Sequence, residues 1–139
     1  MENTKEKVIL VNVQTNQTDE AFEYELRELA ELTETALGEV VGVLTQKRER
    51  KDSRTVIGKG KVEELVNLCA ELEADTVIFQ QELSSKQVRN IQETVDCKVI
   101  DRVQLILDIF AMRARSKEGK LQVALAQLSY LLPRLMGQG

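Results

Sequence analysis

"KVILVNVQ", residues 7–14, decides how the rest of the chain is read. Four apolar residues, Val8 to Val11, follow one another without alternation, and the run closes on polar residues around Val13. Continuous apolar character over so short a stretch is the pattern of a strand covered on both faces. Such a strand requires helices to cover it. The next segment, "TDEAFEYELRELAELTETAL", places Phe22, Leu26, Leu29 and Leu32 at helical spacing. Thr18 or Asp19 can cap it, and Gly38 stands where a C-terminal glycine would close it.

Reading outward, "EVVGVLTQKR" (39–48) is a second strand, followed by a polar connection expected to be mobile, "ERKDSR". "TVIGKG" leads into a helix over 61–74 with Val62, Leu65, Val66, Cys69 and Leu72 on one side. A third strand at 75–80, a helix at 84–96 capped by Ser84 or Ser85, a fourth strand at 97–101 and a helix from 102 to 116 complete the pattern. Strand and helix alternate, with connections too long for hairpins. The expected fold is therefore α/β: a small four-stranded parallel sheet with helices on both faces. Residues 1–116 form the expected domain, and 117–139 the start of a separate helical subdomain.

Composition narrows the chemistry. With 139 residues, 42% apolar and 30% charged, the chain can bury an ordinary core. Histidine is absent, which removes Ser-His-Asp and Cys-His catalysis and histidine metal ligation. Cys69 and Cys97 sit in apolar patterns that favour two buried thiols over a disulfide, and two sulfurs alone cannot make a tetrahedral zinc site. No nucleophile has an activating neighbour, so the catalytic set is empty. The N-terminus carries no apolar signal segment, and a cytoplasmic location is expected.

The last helix departs from the alternating plan. Leu121, Leu125, Leu128, Leu132 and Leu135 follow 4-3-4-3 spacing, a heptad seam that calls for a partner helix. Pro133 should kink or end that helix. The seam suggests that the sequence stops in mid-structure, or that the chain dimerises through it.

"TVIGKGKVEELVN" (55–67) resembles a phosphate cradle at first sight. A P-loop needs a glycine five positions before the second one and a hydroxyl after the lysine. Thr55 and Val62 occupy those places. A dinucleotide fingerprint fails too, since Glu63 stands where the third glycine belongs. Glu63 and Glu64 are expected in the first helical turn, where a phosphate would dock. Gly58 and Gly60 read as a structural turn, with a weak anion site as the alternative.

Charge is unevenly spread. Between residues 47 and 61 stand Lys47, Arg48, Arg50, Lys51, Arg54, Lys59 and Lys61 against Glu49 and Asp52, a net of +5. The chain as a whole carries −4, so its other residues carry −9. A basic segment on an acidic body suits a polyanion, and with no aromatic residue in it any contact would be to phosphates. A second basic cluster, Arg113, Arg115, Lys117 and Lys120, joins the last two helices.

"RTVIGKGKVEEL", "DRVQLILDIFAMRARSKEGKLQVALAQLSYLLPRL" and the closing "GQG" resemble the N-terminal region of the HflX family of ribosome-associated GTPases. That resemblance extends from about Val8 to Gly139. It implies an N-terminal α/β domain followed by two long antiparallel helices and a GTP-binding domain. Residues 118–136 would be the first of those helices, and GTP with magnesium would be held by the G domain, outside this chain. The family is expected to bind the large ribosomal subunit and split stalled ribosomes under stress, so rRNA is the implied partner of the basic positions. Two other readings stay open: a nucleotide (ATP) binding module at the Gly58–Lys61 turn, and a protein-interaction or regulatory domain.

Overall fold

The computed structural model describes residues 5–114 and 117–135, except for the side chains of Arg134 and Leu135. Its elements are β1 (Glu6–Gln14), α1 (Asp19–Thr35), β2 (Gly38–Lys47), α2 (Lys59–Leu72), β3 (Thr76–Phe79), α3 (Ser85–Gln92), β4 (Lys98–Asp101), α4 (Arg102–Arg113) and α5 (Lys117–Leu135). The strands form one parallel sheet in the order β2-β1-β3-β4.

β1 is central, and residues Val8 to Val13 are all buried. Because side chains alternate across a strand, the run feeds two cores. Ile9, Val11 and Val13 join Val77, Phe79 and Val99 beneath Val62, Leu65 and Cys69 of α2 and Ile91 of α3. Val8 and Leu10 join Ile78 on the other face, beneath Leu29 of α1 and Leu105 and Ile109 of α4. Helices thus cover both faces, as the unbroken apolar run required.

Local signals explain most boundaries. Thr18 caps α1 by accepting the Ala21 N–H, and Ser84 caps α3 in a reciprocal capping box with Gln87. Asp101 caps α4 through the Gln104 N–H. Gly38 does not close α1, contrary to the reading of the sequence. The left-handed residue there is Leu37 (φ 67°), and Gly38 already begins β2. A Cβ on Gly38 would come within 2.9 Å of Thr33 Cγ2, so space and not torsion demands the glycine.

α5 runs back along α4 and also touches α3. Its half-buried positions are Gly119, Val123, Gln127, Tyr130 and Pro133. Pro133 lies inside the helix, three residues after Tyr130. Among the described residues, no helix is long and apolar enough to cross a membrane.

Candidate nucleic-acid interface

The strand order changes sense between β1 and β3, since β2 lies on one side of β1 and β3 on the other, while all four strands run parallel. Sheets of this kind bind ligands in the crevice beyond the strand C-termini at that reversal. Here amide side chains fill the crevice. Gln81 Nε2 donates to Asn12 Oδ1 (2.8 Å) and to the Val13 carbonyl (3.1 Å), while its Oε1 accepts the Val13 N–H. Asn12 Nδ2 and Gln17 Nε2 both donate to Glu25 Oε1. The reading of the sequence missed this network; its signal was Asn12, a polar residue in an otherwise apolar strand.

The basic connection between β2 and α2 leaves the same edge of the sheet. It takes a defined turn, held by hydrogen bonds. Asp52 and Val56 form an antiparallel bridge, exchanging both backbone hydrogen bonds at 2.9 Å. Asp52 Oδ1 accepts the N–H groups of Arg54 (2.8 Å) and Thr55 (3.1 Å). The Arg54 N–H bond holds the Asp52 carboxyl below its usual range, with further help from Thr55 and the nearby Arg48 charge. Val56 sits at φ 68°, a left-handed conformation that a β-branched residue adopts only under constraint. Val56 and Ile57 are buried and anchor the turn in the core.

α2 begins at Lys59, two residues before the helix start expected from the sequence. Glu63 and Glu64 therefore lie beyond the first turn, which holds no acidic residue; this corrects the earlier placement. The N-cap, Gly58, has an ordinary φ of −66° and makes no side-chain cap. Its N–H donates to Gln46 Oε1 at 2.8 Å, and a Cβ there would meet Arg48 Nη1 at 2.6 Å. A side chain at Gly58 would displace the Arg48 guanidinium and crowd Gln46, whereas a Cβ on Gly60 would meet open space.

The seven basic side chains separate into two groups. Arg54 pairs with Glu93 (3.5 Å), Lys61 with Glu64 (2.7 Å), and Arg48 Nε donates to the Arg50 carbonyl (3.0 Å). Lys47, Arg50, Lys51 and Lys59 are exposed and have no carboxylate partner within salt-bridge distance among the described residues. Asn90 and Gln87 of α3 hold the Arg54 and Ser53 carbonyls, bracing the turn from the side. Beside it, an open groove of about 820 Å³ runs between α2 and α3, lined by Arg54, Thr55, Lys59, Val62, Asn90 and Glu93.

The second basic cluster lies elsewhere. α4 starts where β4 ends and runs back about 17 Å, at 1.5 Å per residue, before reaching Arg113. Lys117 and Lys120 are exposed in the first turn of α5. Arg115 lies outside the described residues. Arg113, Lys117 and Lys120 thus lie at the end of α4 and the start of α5, apart from the β2–α2 turn.

The turn departs from a P-loop at one ligand: Val62 follows Lys61 where a Ser or Thr hydroxyl would stand.

Comparison with known proteins defines the class first. Residues 23–111 match the family model described as GTP-binding GTPase N-terminal, and residues 113–139 match that of the GTP-binding GTPase middle region. Crystal structures titled as a GTP-binding protein from the archaeon Sulfolobus solfataricus in complex with GDP, and as SsGBP with GDP, superpose with TM-scores of 0.69 and 0.73. They are 27% and 28% identical, covering 94% of this chain and 38% and 36% of those chains. Among curated relatives, GTPase HflX of Alkalihalophilus pseudofirmus is 61% identical over 96% of this chain and 32% of its own length. That of Escherichia coli is 41% identical over 94% of this chain and 30% of its own length. The chain belongs to the HflX family, as its N-terminal domain, and spans about a third of the length of these relatives.

Proposed function

We propose that this domain docks an HflX-type GTP-binding protein on the large ribosomal subunit, through phosphate contacts from the β2–α2 turn to rRNA. One observation carries the reading: among the described residues, Lys47, Arg50, Lys51 and Lys59 have no carboxylate partner, on a turn braced by Asp52, Val56 and α3. Fixed cations on an otherwise acidic chain orient a polyanion without reading its sequence. In the intact protein the domain positions a GTP-binding domain, which holds GTP and magnesium and splits stalled ribosomes in the stressed cytoplasm. The leucine face of α5 is covered there by a second helix.

Changing Lys47, Arg50, Lys51 and Lys59 to Glu should weaken co-sedimentation with 50S subunits at least about tenfold and flatten its salt dependence. Unaltered binding across a salt series would exclude this surface. A second reading, nucleotide binding at the same turn, is favoured by the uncapped N-terminus of α2 with Lys59 and Lys61 beside it. Calorimetry with ATP and GTP separates the two readings. Micromolar binding that disappears with Lys59→Ala would support the nucleotide.

A further inference from the structure

Asp101 is 2% exposed, yet it carries a carboxyl group that four segments share. It ends β4, and its Oδ1 accepts the Gln104 N–H (3.0 Å) at the start of α4. Its Oδ2 accepts the Leu83 N–H (2.8 Å) from the loop before α3, and also the Tyr130 hydroxyl of α5. A buried carboxyl group is tolerated only where donors satisfy it, and here one of the donors comes from the terminal helix.

The remaining packing of α5 is thin. Leu121, Leu125, Leu128 and Leu132 keep 47–60% of their surface exposed, so they hold the helix only weakly against the body. Gln127 Nε2 reaches Asp108 Oδ1 at 3.4 Å, a long contact. Under Tyr130 lies a pocket of about 250 Å³, lined by Val88, Val99, Ile100, Gln104 and Leu131. Gln104 Oε1 is buried there without a hydrogen-bond partner. Exposed leucines and an unsatisfied acceptor beneath a bond to a buried carboxyl group are features of a joint, not of a core.

We propose that the Tyr130–Asp101 hydrogen bond is a latch that pins α5 to the α/β body. Its release frees the helix as a unit while the sheet stays intact. The latched state sets which face of α5 points outward, and so where the leucine stripe is presented. Tyr130 acts here as a positioning residue.

Hydrogen exchange on the wild-type chain, Tyr130→Phe and Gln127→Ala tests this. Tyr130→Phe keeps the ring and removes only the hydroxyl. It should raise exchange in the 123–132 amides by about tenfold, the effect of losing a charge-assisted bond, while β1 and β3 stay as protected as in the wild type. Gln127→Ala should stay near wild-type rates. Unchanged α5 protection in Tyr130→Phe would overturn the proposal. So would an equal rise across β1 and β3, or a Gln127→Ala effect of the same size.

Discussion

β1 and α5 are both rich in branched aliphatic residues, and their fates are opposite. In β1, six consecutive residues vanish between two layers of helix; in α5, four seam leucines remain about half exposed. Apolar composition states a demand for cover, and only a neighbouring surface can meet it. The sheet finds cover on both faces from α1, α2, α3 and α4. α5 finds it along one narrow face, and a polar contact does much of the holding.

Substitutions should expose that contrast. Phe79→Ala, at a ring with no solvent exposure beneath α2 and α3, should cost about 3–5 kcal/mol in denaturant unfolding. Leu128→Ala on α5 should change it by less than about 0.5 kcal/mol. If the two losses were similar, the seam would have to be covered in solution, and sedimentation would then show an associated chain.

A second difference should emerge in alkali. Burial, then hydrogen bonding and charge from Cys97, push the Cys69 thiol up to about 12. A group whose folded pKa is raised contributes stability that is complete below its unfolded value and lost as pH rises through the folded one. Between about pH 9 and 12 the body should therefore lose stability, and Cys69→Ala should flatten that part of the thermal-melting profile.

A gain smaller than the Phe79 loss is expected at the α1–β2 junction. Leu37 is exposed at φ 67°, where glycine carries no Cβ penalty. Leu37→Gly should raise stability by up to about 1 kcal/mol, the Cβ strain of a left-handed residue less the entropy of a new glycine. A clear loss in the same unfolding measurement would mean that Leu37 makes an apolar contact in solution.

Much of the candidate interface was legible in advance, but not its selection. The charge run from Lys47 to Lys61 stood out as a cluster in one dimension. Which cations are tied to Glu93, Glu64 or a backbone carbonyl depends on α3 and on the true start of α2. Gly58 drew attention as a turn residue; the structure gives it an ordinary φ and a neighbour, Arg48, 10 positions away in sequence. Val56, the residue with the unusual backbone, left no mark, because its strain is imposed by a bridge to Asp52 and by burial.

By itself, then, the sequence determined the elements, their alternation, the parallel sheet between helical layers and the N-caps of α1 and α3. Those follow from periods of two and 3.6 residues and from side chains acting on neighbouring backbone, all of which are local. Tertiary structure alone decided the plugged crevice around Asn12 and Gln81, the separation of the two basic clusters, and the pinning of α5 by Asp101. Each joins groups far apart along the chain, where geometry and not pattern sets which atoms meet.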